Sequence, residues 1–116
     1  METELTRGPL FAQAMVVSDH RPFLAAIVVL NAAVWRRLCA GRRLDPEKPE
    51  QEVSKAELQD RIRARLTGLP KYAQVRALHP TLQPWTVEAG LLTPSLKIKR
   101  GLLQQLFTRE IEALYA

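Results

Sequence analysis

The sequence has a single cysteine and few glycines, and these shortages exclude several kinds of protein. Cys39 has no second cysteine with which to form a disulfide, which is typical of a protein from a reducing compartment. The five glycines are dispersed along the chain, so no glycine-rich loop can cradle the phosphates of a nucleotide. By itself the chain therefore has little with which to hold a nucleotide.

Long apolar runs and aromatic residues are also scarce. No run approaches the roughly 20 apolar residues of a membrane-spanning helix, and the N-terminal stretch METELTRGPLF is too acidic for a signal peptide. Aromatic residues make up only 6% of the chain and do not alternate with the basic residues, as they do on surfaces that stack nucleic-acid bases. These features predict a cytoplasmic protein and weaken a nucleic-acid-binding interpretation.

Positive charge, by contrast, is in excess. The net charge is +5 and the isoelectric point is near 9.9. This excess predicts an anionic partner, and charge alone leaves nucleic acid, a phosphorylated ligand and a membrane face open. With 116 residues, of which 47% are apolar, the chain is expected to form a single domain with one modest core.

Apolar runs alternate with polar connectors and predict an α+β domain, a small and mostly antiparallel sheet of about three strands packed with helices. Strands are expected at Phe11–Val17, Pro22–Leu30 and Val75–Leu78. The polar connector SDHR is expected to turn the chain between the first two strands, which predicts an antiparallel pair.

The helical segments are predicted from apolar spacing and from capping residues. They are expected at Asn31–Ala40, Lys55–Leu66 and 101–115, the last packing on the sheet. Asn31 is a suitable N-cap for the first helix and Gly41 is expected to stop it. Ser54 and Glu57 have the spacing of a capping box for the second helix, which Gly68 is expected to end. The polar stretch GRRLDPEKPEQEVS between them is expected to be an exposed connection.

Most residues that could act in catalysis or ligand binding have a structural interpretation. His20 and His79 lie in polar or proline-rich connectors with no cysteine or carboxylate at ligand spacing, so no metal site is predicted. Cys39 has no basic partner in view and is expected to be a packing residue. Trp35 and Trp85 are expected in the core.

One basic cluster is harder to explain in this way. The segment TPSLKIKRGLL places Lys97, Lys99 and Arg100 at the start of the last helix, where cations oppose the helix macrodipole. One interpretation is a solvated basic run, and the other is an anion site. If Leu96–Ile98 is extended, both lysines point to one side while the flanking apolar residues anchor the other.

This segment also carries a family resemblance. The stretch TVEAGLLTPSLKIKRGLLQQLFTREIEALYA resembles the end of the AMP-forming acyl-CoA synthetases, specifically their long-chain fatty-acid branch. The stretch METELTRGPLFAQAMVVSDHRPFLAAIVVLN is similar to the segment that follows the hinge between the two domains of these adenylate-forming enzymes. Many relatives carry a Ser-Gly-Lys-Ile type sequence at the motif, whereas the long-chain branch commonly has leucine before the lysine, as Leu96 here. The resemblance covers nearly the whole chain apart from about Gly41 to Val53.

The resemblance implies that residues 1–116 are the mobile C-terminal domain of a larger long-chain fatty-acid–CoA ligase. Its main partner would be its own N-terminal adenylation domain, which, like the hinge, is expected to lie outside this chain. The family joins a fatty acid to coenzyme A with ATP and magnesium, releasing AMP and pyrophosphate. Lys97 falls on the family's adenylation lysine, while Lys99 and Arg100 are secondary candidates for contacts near phosphate.

The fragment alone is accordingly expected to be inactive and to bind none of these cofactors tightly. No nucleic-acid partner is implied, and a position at the inner face of the membrane remains open because the substrate is fatty. A free-standing basic module for nucleic acid or acidic lipid is the first alternative. A structural domain that docks on another protein through an apolar face is the second.

Overall fold

The computed structural model describes residues 5–17, 23–49, 51–70 and 74–115. Its strands are β1 (Phe11–Val17), β2 (Leu24–Leu30) and β3 (Val75–Thr81). Its helices are α1 (Ala32–Arg42), α2 (Glu52–Arg65), α3 (Arg100–Leu106) and α4 (Thr108–Leu114). The expected connector SDHR, including His20, lies outside the described residues.

The three strands form one sheet in the order β1-β2-β3. β1 and β2 pair antiparallel, as predicted, but β2 and β3 pair parallel, so the sheet is mixed rather than mostly antiparallel. The difference arises because the chain between β2 and β3 crosses over through α1 and α2 and returns in the same direction. The α+β class and the number of strands in this sheet are confirmed.

β3 is longer than expected and continues through Pro80 to Thr81. Proline has no amide hydrogen to donate to a neighbouring strand, so it is tolerated mainly on edge strands. β3 lies at the edge of the sheet, and Pro80 there pairs in register with Val28 of β2.

The sheet separates two hydrophobic clusters. On β2, Ala26, Val28 and Leu30 face the first cluster, while Ile27 and Val29 face the second, as the alternation of a strand requires. The first cluster is covered by α1 and α2 through Trp35, Cys39, Leu58 and Ile62, and by Leu66, which directly follows α2. The second is covered by the C-terminal part of the chain through Trp85, Leu92, Leu103 and Ile111. The fold is thus a sheet with helices on both faces.

α1 begins as predicted and ends later. The Asn31 side-chain oxygen accepts hydrogen bonds from the backbone N–H groups of Ala33 and Val34 at 3.1 and 3.2 Å. Gly41 does not stop the helix, which continues to Arg42. The stop is instead at Arg43, a non-glycine residue in the left-handed conformation (φ 56°) whose N–H bonds the Cys39 carbonyl.

The predicted capping box of α2 is wrong. The helix begins at Glu52, so Ser54 lies inside its first turn and is completely buried. The earlier start is explained by packing, because Ser54, Leu58 and Ile62 follow at intervals of four and extend one buried stripe. The last helical residue is Arg65, ahead of Gly68, and Gln51 at the N-cap makes no side-chain capping bond.

The closing helix is divided into α3 and α4 at Phe107. The Thr108 hydroxyl donates to the carbonyls of Gln104 and Gln105 at 3.0 and 2.8 Å, which satisfies acceptors at the end of α3. The predicted packing on the sheet is confirmed, since Leu103 and Ile111 are buried in the second cluster. In the described ranges, no helix is long and apolar enough to cross a membrane.

Candidate functional site

The basic cluster is presented by a tight hairpin. The Thr93 N–H donates to the Lys97 carbonyl and the Leu96 N–H donates to the Thr93 carbonyl, each at 2.8 Å. An antiparallel bridge between Leu92 and Ile98 closes the base of this turn. We refer to residues 92–98 as the Lys97 hairpin.

Leu96 is not extended, contrary to the prediction from the sequence. Its φ is +67°, which lies in the left-handed region, and its side chain is 70% exposed. It therefore does not anchor the segment to the core. The reversal of the chain after Pro94 requires this conformation, and periodicity of a strand does not apply inside a turn of five residues.

The Thr93 side chain organises the turn from within. Its hydroxyl oxygen accepts a hydrogen bond from the Lys97 N–H at 3.1 Å and lies 3.1 Å from the Ser95 hydroxyl. The backbone of Lys97 is thereby held at both its N–H and its C=O by the same threonine. The lysine stem starts from a defined position although the side chain is exposed.

Lys97 and Lys99 are both exposed, and neither ammonium group forms an ion pair with another described residue. Lys99 is the N-cap of α3, and its N–H donates to the Leu91 carbonyl at 2.9 Å. The first turn of α3 contains no acidic residue. Among the described residues, the charges of Lys97 and Lys99 are therefore not compensated by an ion pair, which favours an incoming anion.

Arg100, the first residue of α3, has a defined partner in the sheet. Its guanidinium Nη1 donates to the Val16 carbonyl of β1 at 2.9 Å. The bond joins residues 84 positions apart, so the start of α3 is attached to the edge of the sheet.

An open cleft of about 450 Å³ lies where the hairpin faces β1. Its lining includes Lys97, Arg100 and Gln13, and no carboxylate is among the described residues that line it. Gln13 was not predicted as a site residue. The signal that could have drawn attention to it is its position as a polar residue inside the apolar strand FAQAMVV.

The remaining candidates have structural roles. Cys39 is buried, and burial, followed by the nearby Asp45 carboxylate, raises the pKa of its thiol above the ordinary 9.0, which disfavours the nucleophilic thiolate. Trp35 is fully buried and its indole N–H donates to the Pro46 carbonyl at 3.0 Å. Trp85 is 3% exposed, so both tryptophans are core residues as expected.

His79 contacts the Phe107 ring, with the ring centroids 6.0 Å apart. Within the described part of the chain, no group of three or more His, Cys, Asp or Glu residues is arranged to hold a metal ion.

Sequence comparison identifies relatives along the whole chain. No protein-family model matches it. Long-chain-fatty-acid–CoA ligase 1 of Homo sapiens is 39% identical over 124 residues, which is 100% of this chain and 18% of the relative. Long-chain-fatty-acid–CoA ligase 6 of Homo sapiens is 33% identical over 122 residues, again 100% of this chain and 18% of the relative.

The chain is homologous to one segment of the long-chain-fatty-acid–CoA ligases. It spans about a fifth of the length of these ligases. Long-chain-fatty-acid–CoA ligase FadD15 of Mycobacterium tuberculosis, 26% identical over 121 residues, extends the relationship to bacteria. The resemblance to long-chain fatty-acid–CoA ligases that the sequence predicts is thereby confirmed.

Solved structures place the fold among adenylate-forming enzymes. The adenylation domain of a carboxylate reductase from Mycobacterium chelonae matches 98% of this chain and 17% of its own, with a TM-score of 0.80 and 29% identity. A second match is the A-PCP didomain of carboxylic acid reductase from Segniliparus rugosus, solved in complex with AMP. The match covers 98% of this chain and 15% of the didomain chain, with a TM-score of 0.77 and 26% identity. The comparisons with ligases and adenylation domains give no support to a free-standing basic module.

Proposed function

We propose that this chain is the mobile C-terminal domain of a long-chain fatty-acid–CoA ligase and that Lys97 is its adenylation lysine. The observation that carries the proposal is the presentation of Lys97, on a fixed hairpin backbone, as an exposed cation at a cleft that forms no ion pair with a described residue. All 116 residues of this chain align with ligases that are about five times longer, which supports the placement of this domain inside a larger enzyme.

The chemistry requires two anions to meet. In the first half-reaction, the fatty-acid carboxylate attacks the α-phosphorus of ATP, which gives an acyl-adenylate and pyrophosphate. An ammonium group placed between the carboxylate and the phosphate lowers their mutual repulsion as they approach. A preorganised charge of this kind is worth about 10²–10³-fold in rate.

Lys97 has the properties that this task demands. Its flexible stem carries a compact cation, and no carboxylate among the described residues neutralises it. The planar guanidinium of an arginine would present its charge in a different geometry, so we expect Lys97→Arg to be a poor substitute.

In the second half-reaction, the thiol of coenzyme A attacks the acyl carbonyl and AMP leaves. A rotation of this domain about its hinge would withdraw Lys97 after adenylation and present another face to coenzyme A. Magnesium would accompany the phosphates of ATP. The described residues that line the cleft include no carboxylate, so we assign none of them to the metal. A cytoplasmic location stays a prediction.

The test is Lys97→Ala in the full-length enzyme, with acyl-adenylate formation and thioester formation from supplied acyl-adenylate measured separately. We expect the first rate to fall by about 10²–10³-fold and the second to persist, because only the first brings two anions together. Arg109→Ala is the control, since it removes one exposed cation from α4.

Near-wild-type adenylate formation by Lys97→Ala would contradict the proposal. Lys97 would then be part of a solvated basic run.

A further inference from the structure

The segment 85–100, which contains the Lys97 hairpin, is hydrogen-bonded to β1 at both of its ends. We propose that Gln13 and Arg100 are positioning residues that hold the Lys97 hairpin against the edge of β1 for adenylate formation. This inference rests on the proposed function of Lys97 and adds to it the residues that fix where the lysine stands. The two attachments are Gln13 with Trp85 and Arg100 with Val16.

The first attachment is a two-point contact of an amide side chain with the backbone. The Gln13 Nε2 donates to the Trp85 carbonyl at 3.0 Å, and the Trp85 N–H donates to the Gln13 Oε1 at 2.7 Å. The side chain thus satisfies both backbone polar groups of Trp85, as a neighbouring strand would. Trp85 is buried in the second cluster, so this end of the segment is tied to the sheet and to the core.

The second attachment follows the hairpin directly. Arg100 lies three residues after Lys97, and its Nη1 donates to the Val16 carbonyl at 2.9 Å. β1 is an edge strand, so its outer backbone groups need partners from outside the sheet.

The two attachments bracket the cleft. Gln13 and Val16 are three positions apart on β1, which corresponds to roughly 10 Å along a strand. The cleft that Lys97 lines also includes Gln13 and Arg100 in its lining. The tip of the hairpin has little anchorage of its own, because Leu96 is 70% exposed. Leu92 at the base of the hairpin is buried in the second cluster, so the two attachments add polar contacts with the sheet on either side of an apolar anchor.

The geometry also explains a cation at a helix N-terminus, where the macrodipole disfavours it. The charge of Arg100 is directed onto a carbonyl oxygen of the neighbouring strand. A residue that contacted a nucleotide phosphate would contribute to nucleotide binding. A positioning residue would contribute to the rate of the step that Lys97 assists.

The test uses Gln13→Met and Arg100→Met in the full-length enzyme, because methionine keeps an unbranched side chain and removes the hydrogen bonds. We expect the kcat of adenylate formation to fall by up to about 100-fold, as for a catalytic group displaced by about 1 Å. The KM for ATP and the rate of thioester formation should stay near their original values. The controls are Gln83→Met and Arg109→Met, which alter exposed residues of the same types.

Several outcomes would overturn the inference. A raised KM for ATP with unchanged kcat would show that Arg100 contacts the nucleotide. A parallel loss of both half-reactions would show that the two residues stabilise the fold as a whole. Unchanged kinetics would show that the two attachments do not contribute to adenylate formation. Arg100→Lys keeps the charge and a donor and should recover part of the lost kcat, which tests the hydrogen bond if the methionine variant does not fold.

Lys97→Ala is measured in the same assays to separate the two proposals. If Lys97→Ala leaves the rate of adenylate formation unchanged, the proposed function is contradicted. If Lys97→Ala abolishes adenylate formation while both methionine variants are normal, only the positioning role fails.

Discussion

Leu96 is a non-glycine residue with a left-handed backbone conformation that favours glycine. Its φ of +67° costs an ordinary L-residue about 1–2 kcal/mol, because Cβ approaches the following carbonyl oxygen. The side chain recovers little of this by burial, since it is 70% exposed. Glycine has no Cβ and adopts this conformation without the penalty. A glycine before Lys97 would therefore suit the same turn.

We expect Leu96→Gly to leave the free energy of unfolding unchanged or to raise it by about 1 kcal/mol. Relief of the left-handed strain contributes about 1–2 kcal/mol, and the greater backbone entropy of glycine takes back about 0.5–1 kcal/mol. Urea unfolding of the 116-residue chain measures the difference. Leu96→Ala is the matched control, because it removes the exposed side chain but keeps Cβ and should gain nothing. Equal effects of the two variants would contradict strain at this position.

At the scale of elements, the N-termini of α1 and α2 are a natural contrast. α1 has a side-chain cap, in which Asn31 accepts two backbone N–H groups, whereas Gln51 at the start of α2 makes no such bond. A cap satisfies donors that the helix leaves unpaired. The start of α1 is therefore stabilised locally, while α2 depends on the burial of Leu58 and Ile62 along its inner face.

We expect Asn31→Ala to lower the free energy of unfolding by about 1 kcal/mol, through loss of the capping bonds. Asn31→Asp should stay within a few tenths of a kcal/mol of the original, because aspartate is an equally good cap. Gln51→Ala is the control at the uncapped helix and should have little effect. Denaturant midpoints of the four proteins decide the matter, and a Gln51→Ala loss as large as that of Asn31→Ala would count against local capping.

At the scale of the whole molecule, the sheet divides the core into two independent clusters. Ile62 is completely buried in the first cluster and Ile111 is 5% exposed in the second. No side chain is shared between these two sets of buried residues. Energetic coupling normally requires direct contact or shared partners.

We expect Ile62→Val and Ile111→Val each to cost about 0.5–1.5 kcal/mol of unfolding free energy, the usual loss for one buried methylene. In the double variant the costs should add within about 0.3–0.5 kcal/mol, because the sheet lies between the sites. Ile27→Val with Ile111→Val is the comparison within one cluster. An interaction energy above 1 kcal/mol between Ile62 and Ile111 would show that the two sides are one cooperative unit.

Several features could be predicted from the sequence because they depend on neighbours along the chain. The first two strands, the Asn31 cap and the burial of Leu58, Ile62 and Leu66 follow from apolar spacing and local hydrogen bonding. The motif TPSLKIKR, together with the similarity of the flanking sequence, also predicted Lys97 as a site residue and a resemblance to the long-chain fatty-acid–CoA ligases. The comparisons confirm the resemblance. These inferences need only contacts within a few residues or a linear pattern.

Other features were decided by the tertiary structure. The parallel pairing of β3, the earlier start of α2 and the left-handed Leu96 each depend on where a distant element or a chain reversal lies. The attachments of Gln13 to Trp85 and of Arg100 to Val16 join residues 72 and 84 positions apart. The sequence by itself placed Lys97 in a basic cluster and determined most of the helical and strand segments, because local backbone preferences and apolar periodicity act over short distances. The fold alone decided how that cation is held, because an edge strand exposes unpaired backbone groups that only residues brought close by folding can satisfy.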